Sequence, residues 1–245
     1  MKKVSHSQWA WNLAVGFSLF FLIFLPARDA FNGGEQGDYL TLVKLLPAGI
    51  GYTLIVTFMG SLSAILVGMM VALGKMSPRP LLNRLASFYT EILRGVPLLV
   101  LLFYIYYALG EFVKIPALAS AVLGFGFCYG AYMADVFRAG IEAIPKEQEE
   151  AARSLGMTQA QALRQIVFPQ AMKTILPAVG NQTLGMLKDT SLVSVLAISD
   201  ILRVGNEYAT KHFNYFETYT YVALTYLALT LLLSRLLIAM ESRLK

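Results

Sequence analysis

An uncharged apolar run, residues 49–74, restricts the possible folds more than any other feature of this chain. A helix needs about 20 apolar residues to cross a bilayer, so the run is long enough to span it with some tilt. Of the 245 residues, 57% are hydrophobic and only 14% are charged, which is too apolar for a soluble domain of this length. We therefore predict an all-α, polytopic membrane protein.

Similar runs predict a bundle of about six transmembrane helices, at residues 9–27, 49–74, 91–110, 115–134, 174–199 and 218–240. Residues 28–44 and 200–217 are expected to be polar loops. The first helix is expected to be retained, because no Ala-x-Ala cleavage site follows it and Arg28 lies near the expected cleavage point. In the fourth span, Gly126 and Gly130 have the small-xxx-small spacing that permits close helix contact, although glycine is also simply common in membrane helices.

The basic residues are distributed unevenly between the two sides of the predicted bundle. One side has fourteen of them, namely Lys2, Lys3, Lys75, Arg79, Arg84, Arg94, Arg138, Lys146, Arg153, Arg164, Lys173, Arg235, Arg243 and Lys245. The other side has only Arg28, Lys44, Lys114, Arg203 and Lys211. By the positive-inside rule, we expect both termini and the segment 138–173 to be cytoplasmic.

One long segment, residues 144–170, has a soluble character in an otherwise membrane-like chain. Pro145 suits the first turn of a helix, and the acidic residues that follow it complement the helix dipole. Gly156 stands where a left-handed cap would end the helix. We expect one short helix at residues 146–155.

A second short helix is expected directly after the first. Thr158 and Gln161 have the spacing of a capping box, and apolar residues follow until Pro169 breaks the run. Neither helix is long enough to cross a bilayer, so the pair should lie on a membrane face as a docking element. The form alone would also fit an ordinary helical hairpin that connects two spans.

The fifth predicted span has one face that is polar or small. At about 100° per residue, the members of this face fall within a wedge of about 120°; they are Thr174, Ala178, Asn181, Gln182, Gly185, Lys188 and Asp189. At 1.5 Å per residue, Lys188 and Asp189 lie about 21 Å from the cytoplasmic end, past the midplane. After them the face is expected to turn apolar, at Leu192 and Leu196.

Ionisable residues at this depth are costly and usually face a cavity or a partner. Side chains adjacent in sequence on a helix point about 100° apart, so Lys188 and Asp189 pair poorly with each other but suit the two ends of a zwitterion such as an amino acid. We interpret the polar face as the lining of a translocation path. The alternative is that both charges pair with groups on neighbouring helices.

The chain lacks the sequence features of an ATPase or another catalyst. The nearest approach to a phosphate-binding loop, from Gly68 to Lys75, has one residue too many and lacks the hydroxyl that would bind Mg²⁺. The two histidines are far apart, and the single cysteine, Cys128, excludes an internal disulfide and a multi-cysteine metal site. We predict no catalytic residue, metal site or cofactor, and no nucleic-acid partner, because the net charge of +5 is scattered.

The soluble segment resembles the coupling loop of the transmembrane subunits of ABC importers, in which the corresponding residues are Glu150, Ala151, Ala152, Gly156, Ile166 and Pro169. The family usually has Leu where this chain has Phe168. The segments 94–98, 130–132 and 187–194 look like those of permeases for polar amino acids, the histidine, glutamine, glutamate, arginine and opine group. The resemblance covers about residues 47–241.

The resemblance implies a type I importer that depends on an extracytoplasmic amino-acid-binding protein. Two permease subunits, identical or homologous, would sit in a bacterial plasma (inner) membrane with two cytoplasmic ATP-binding subunits docked on residues 150–169. ATP would be bound by those partners. The central cavity of the family lies near the segment that holds the expected path residues, Asn181, Gln182, Gly185, Met186, Lys188, Asp189 and Ser191.

Two regions follow from the resemblance. Residues 47–241 would form the permease domain, with the coupling loop at about residues 138–173, and residues 1–46 would form an extra transmembrane helix with an extracytoplasmic loop. Members of the family commonly have five spans with the N-terminus outside. A sixth helix departs from that pattern and returns the N-terminus to the cytoplasm.

Two other classes of membrane protein compete with this interpretation. An ATP-independent channel or carrier for small polar solutes would be served equally well by six spans and a polar face, but it has no need of a docking loop. A membrane-embedded enzyme is the weaker alternative, because the predicted spans contain no cluster of His, Cys, Asp or Glu.

Overall fold

A computed structural model of the chain describes the backbone of residues 6–31 and 39–244, and the side chains of residues 11–27 and 41–242. All regular elements in these ranges are helical, which confirms the predicted all-α membrane fold. The helices in chain order are α1 (His6–Phe31), α2 (Tyr39–Lys75), α3 (Pro80–Gly95), α4 (Leu98–Phe103), α5 (Ala117–Glu142), α6 (Lys146–Ser154), α7 (Gln159–Ala162), α8 (Phe168–Asp189), α9 (Ile201–His212) and α10 (Tyr215–Leu244).

The chain divides into two compact units. The first unit consists of Met1–Ile55 and Leu187–Leu236, and the second consists of Val56–Met186 and Leu237–Lys245. This division differs from the predicted boundary between residues 1–46 and 47–241, which concerned the extra helix and not compactness. The predicted boundary stays a prediction.

Within the described residues, three helical stretches are long and apolar enough to cross a membrane, Thr41–Lys75, Ala117–Glu142 and Tyr215–Ser242. A fourth span results if α3 and the helical segment Leu98–Glu111 are counted together. The apolar stretch Trp11–Ala27 of α1 is shorter than these. The expected number of six spans therefore remains a prediction.

The predicted loop at residues 28–44 is wrong at both of its ends. Helix α1 continues to Phe31, and α2 already begins at Tyr39; residues 32–38 lie outside the described residues. Leu42 and Leu46 are one helical turn apart and buried in the core of the first unit, which favours a helix over a loop at this point.

The third predicted span, residues 91–110, is replaced by two helices with a sharp bend between them. Helix α3 begins at Pro80, in a segment expected to lie between spans, and it makes an angle of 101° with the helical segment Leu98–Glu111. Pro97 disfavours helical geometry at the residue before it, and Val96 has an extended backbone with φ −95° and ψ 126°. The chain therefore turns at this point.

The fourth predicted span was expected to end at residue 134, but α5 continues to Glu142. The charges beyond residue 134 do not end the helix because they form ion pairs. The predicted close contact at Gly126 and Gly130 is confirmed. A Cβ atom would lie 2.1 Å from Ser63 Oγ at Gly126 and 2.7 Å from a Val67 methyl carbon at Gly130, so neither position has room for a side chain.

The first unit has its own apolar core, formed by Leu42, Leu46, Ile201, Tyr208, Tyr221 and Val222. The predicted polar loop at residues 200–217 is largely helix α9, which begins at Ile201 with Asp200 as its N-cap residue. The Asp200 carboxylate accepts hydrogen bonds from the backbone N–H groups of Leu202 and Arg203 at 3.1 and 3.0 Å, which caps the helix.

Helix α1 is attached to α10 by polar as well as apolar contacts. Tyr221 Oη donates a hydrogen bond of 2.9 Å to the backbone carbonyl of Leu22. The Arg235 guanidinium lies 4.1 Å from the centre of the Trp11 ring and donates to Asn12 Oδ1. The additional first helix is therefore fixed to the last helix at two levels along its length.

We expect Tyr221→Phe to weaken the attachment of α1, because it removes one hydrogen bond in an apolar setting, worth about 1 kcal/mol. Combining it with Arg235→Gln, which removes the cation–π contact, should lower the melting temperature of the purified protein further. Tyr215→Phe, at an exposed position on the same helix, is the control. If the double variant had the same melting temperature as Tyr215→Phe, these contacts would not attach α1 to α10.

Candidate functional site

The short helix predicted at residues 146–155 is confirmed as α6, which begins one residue after Pro145 and ends at Ser154. We refer to residues 144–170 as the docking segment, after the role predicted for them. Glu147 and Glu149 occupy its first turn, where the helix dipole stabilises negative charge. Ala152 is buried, whereas Glu150 and Ala151 are exposed. The helix therefore packs one side against the protein and leaves the other side open.

The predicted left-handed cap at Gly156 is also confirmed, with φ of +88°. Gly156 N–H donates to the carbonyl of Arg153 at 3.0 Å, and Met157 N–H donates to the carbonyl of Ala152 at 3.2 Å. These bonds satisfy carbonyl groups at the end of α6. A Cβ atom at Gly156 would meet nothing within 4 Å, so the backbone angle alone excludes most other residues.

The predicted capping box is present. Gln161 N–H donates to Thr158 Oγ1 at 3.3 Å, and Thr158 N–H donates to Gln161 Oε1 at 2.8 Å. The second short helix is shorter than expected, because α7 covers only Gln159–Ala162 and a π-helical turn, Leu163–Val167, follows it.

The expectation that Pro169 ends this helix is wrong. Helix α8 begins at Phe168, so Pro169 lies in its first turn, where a missing N–H is tolerated best. The π-helical turn separates this start from α7. The docking segment thus leads directly into the helix that has the polar face.

The inner side of the docking segment borders a cavity of about 470 Å³ in the second unit. Its apolar lining comes from the ends of α2 and α5 and from the π-helical turn, with Leu73, Ile141 and Val167 among the lining residues. The outer side is exposed, and Leu155 at the tip has 84% of its surface accessible.

The polar face predicted for the fifth span holds only as far as Asp189. The α-helix ends there, and a 3₁₀-helical segment, Thr190–Leu196, follows with Ala197 in the left-handed conformation. The expected continuation of the face to Leu192 and Leu196, and an unbroken span to residue 199, are therefore wrong. A 3₁₀ helix turns by about 120° per residue, which ends the register of the face.

Part of this face borders a second cavity, of about 410 Å³, within the second unit. Thr174, Ala178 and Gln182 of α8 line one side of it. Gly185 lies one turn further along, where a Cβ atom would be 3.4 Å from the Tyr129 hydroxyl. Asn181 is exposed, whereas Met186 is fully buried and accepts a weak hydrogen bond from Ser61 Oγ at 3.4 Å.

The other side of this cavity is lined by the charged and aromatic residues Arg94, Tyr132 and Asp135. Asp135 forms ion pairs with Lys75 at 2.8 Å and with Arg94 at 2.5 Å, and Arg138 lies 3.9 Å away. We refer to Lys75, Arg94, Asp135 and Arg138 as the Asp135 cluster. Sequence reasoning missed it, because the three cations served only as markers of orientation and Asp135 lay just beyond a predicted span.

The remaining predicted path residues belong to the first unit. Lys188 and Asp189 occupy the last turn of α8, and both are exposed in this chain. Ser191 lies in the 3₁₀-helical segment, where its carbonyl accepts a hydrogen bond of 2.8 Å from Ser194 Oγ. The depth of Lys188 and Asp189 was predicted on the assumption of an unbroken helical span, and that assumption is wrong because α8 ends at Asp189.

A family profile described as "Binding-protein-dependent transport system inner membrane component" matches residues 64–245, which include the docking segment and both cavities. The chain belongs to this family. Two curated relatives are similar to this chain over most of their length. The probable amino-acid permease protein YxeN of Bacillus subtilis is 40% identical over 75% of this chain and 82% of its own. The probable amino-acid ABC transporter permease protein PatM of Vibrio harveyi is 34% identical over 86% and 97%.

Solved structures support the same family assignment. A crystal structure of an amino acid ABC transporter with histidines is 41% identical, with a TM-score of 0.78 over 83% of this chain and 96% of that chain. An inward-facing structure of the MetNI methionine ABC transporter has a TM-score of 0.72 at 19% identity, which shows the shared fold alone. The expected all-α permease fold is therefore confirmed.

We expect Gly156→Val to disturb the docking segment without unfolding the chain. A β-branched residue at φ +88° is strained by roughly 1 to 3 kcal/mol and redirects the chain after α6. Gly156→Asn is the matched control, because Asn tolerates the left-handed region. Retention of ATPase subunits during purification should fall for Val and not for Asn. Equal retention in both variants would contradict the role of the cap.

Proposed function

We propose that the chain is the permease subunit of an ABC importer that moves polar amino acids across the bacterial inner membrane. A separate ATPase subunit would dock on residues 150–169 and supply the energy. ATP hydrolysis is thereby assigned to that partner, and this chain needs no cofactor. Translocation would proceed by alternating access, in which ATP binding opens the path first outward and then inward.

The observation that carries this proposal is the geometry of the docking segment. A capped short helix, a glycine held at φ +88° and a complete capping box fix the segment in one conformation, and its outer side is exposed. A rigid element can transmit a movement of the partner to α8, which begins one residue beyond the π-helical turn. An ATP-independent channel or carrier would not need such an element, and this disfavours the alternative.

The substrate class is supported by the names of the relatives and by the charges on α8. YxeN and PatM are described as amino-acid permeases. TcyB of Bacillus subtilis, which is 33% identical over 69% of this chain and 73% of its own length, is described as an L-cystine transport system permease. Lys188 and Asp189 offer opposite charges on adjacent, exposed positions. Such a pair suits the carboxylate and ammonium groups of an amino acid.

The proposed complex contains a second permease subunit, identical or homologous, two ATPases and an extracytoplasmic binding protein. Both termini and the docking segment would be cytoplasmic. This orientation is supported by the excess of basic residues on that side. The attachment of α1 to α10 fits an additional first span that places the N-terminus in the cytoplasm.

Reconstituted uptake tests the proposed function. The complex would be purified with its ATPase, inserted into liposomes and given the binding protein with radiolabelled L-arginine, L-histidine, L-glutamine or L-cystine. We expect at least one of these amino acids to be taken up, and the uptake to require ATP on the side of the membrane where the ATPase is bound. Uptake that proceeds equally without ATP would favour the channel or carrier, and uptake of none of the four would contradict the substrate class.

We expect Lys188→Met and Asp189→Asn each to abolish this uptake while the complex still assembles and melts normally. Both side chains are exposed, so neutralising either one should cost little stability. Lys173→Met is the control, because Lys173 is exposed on the same helix but outside the polar face. Variants that melt early and transport in proportion to the folded fraction would show a structural role for the two charges.

A further inference from the structure

The cavity of about 410 Å³ in the second unit carries an excess of positive charge on one side. Three cations, Lys75, Arg94 and Arg138, surround the single carboxylate of Asp135. Glu142 pairs with Arg138 at 2.8 Å and balances that residue. One positive charge therefore remains over the two carboxylates of this group, and the cavity favours an anion.

Of the three cations, Arg94 is the one that is accessible to a ligand in the cavity. Its side chain is 49% exposed and lines the cavity, whereas the Lys75 side chain is only 15% exposed and is engaged by Asp135 and by Thr90 Oγ1 at 3.2 Å. A guanidinium group has five N–H donors in a fixed plane, and the bond from Arg94 Nη1 to Asp135 uses one of them. Donors remain for a ligand.

Two neighbours hold the Arg94 side chain in place. Asp135 accepts its hydrogen bond from one side, and the Tyr132 ring lies 5.2 Å below the guanidinium carbon. A guanidinium fixed in this way loses less conformational entropy when it binds a planar anion. Asp135 and Tyr132 are thus positioning residues for Arg94.

The opposite wall supplies a polar group and a surface for the rest of a ligand. Gln182 of α8 has an amide that can donate to a second oxygen of an anion, and Thr174 adds a hydroxyl. Small apolar side chains, Val136 and Ala139 of α5 and Ala178 of α8, also line the cavity. The size of the cavity suits a small molecule with one anionic group and a compact body.

From this arrangement we infer that Arg94 and Gln182 form a binding subsite for the carboxylate of an amino acid during its passage. The inference rests on the proposed function. It adds a site to that function, because Arg94 lies on α3 and not on the polar face of α8. The subsite lies wholly within the second unit. The ammonium group is not bound by Asp135, whose carboxylate is already engaged by Lys75 and Arg94.

The experiment measures binding to the detergent-purified permease–ATPase complex without the binding protein, which would otherwise impose its own selectivity. Equilibrium dialysis would compare L-arginine, L-histidine and L-glutamine with agmatine, histamine and 4-aminobutanamide, the amines that remain when the carboxylate is removed. Inorganic phosphate serves as a probe for a site that accepts any anion. The variants are Arg94→Gln, Arg94→Lys and, as a matched control, Arg84→Gln, at an exposed basic position on α3 outside the cavity lining.

We expect the wild-type complex to bind at least one amino acid about tenfold more tightly than its amine, as the loss of one charged hydrogen-bonded group predicts. In Arg94→Gln this preference should fall to about twofold or less, and Arg94→Lys should retain an intermediate preference because the charge persists without the planar fork. Arg84→Gln should behave as the wild type. Asp135 keeps Lys75 and Arg138 beside it in all three variants, so the complex should stay folded and retain its ATPase, and binding is compared at equal folded fraction.

Other outcomes distinguish a failure of the subsite from a failure of the proposed function. An unchanged tenfold preference in Arg94→Gln, or equal binding of acid and amine by the wild type, overturns the subsite while uptake still supports the proposed function. Phosphate binding that depends on Arg94, without any preference for acid over amine, overturns it in favour of an inorganic anion site. If no amino acid is bound or taken up by the wild type, the proposed function fails and the subsite with it.

Discussion

The arrangement of the second unit depends most on the ion pairs of the Asp135 carboxylate. This carboxylate joins α2 through Lys75, α3 through Arg94 and its own helix through Arg138. A charge within a membrane helix is tolerated when partners compensate it, and here the partners come from three helices. The ion pairs also explain how α5 can extend beyond its uncharged part to Glu142.

Close packing of small residues places these helices near enough for the ion pairs to form. Ser63 and Val67 of α2 fill the spaces left by Gly126 and Gly130 of α5, and Ile175 of α8 fits against Gly140, where a Cβ atom would be 2.3 Å away. In lipid, helices associate through such packing and polar contacts, because the hydrophobic effect gives little preference for helix over lipid. The cavity beside Arg94 and Gln182 is bounded by helices that are fixed in this way.

The sequence predicted those features that depend on local chemistry. The cap at Gly156, the capping box at Thr158 and the close contacts of Gly126 and Gly130 each follow from a few neighbouring residues and are confirmed. The bend at Pro97 and the end of α8 at Asp189 could not be predicted from periodicity, because apolar residues continue past both points. The Asp135 cluster was missed because its members are up to 63 positions apart in the chain, from Lys75 to Arg138, and only the fold brings them together.

The central claim is that the docking segment transmits work from a separate ATPase to this chain, and site-specific cross-linking tests it most directly. Leu155→Cys, in a Cys128→Ser background, would be cross-linked in native membranes and the attached subunit identified by mass. The account predicts an adduct with an ATP-binding subunit, whose yield changes when ATP is bound. A matched cysteine at the exposed position of Phe112 should give no such adduct. Absence of any ATPase adduct at residue 155, with the complex intact, would contradict the account.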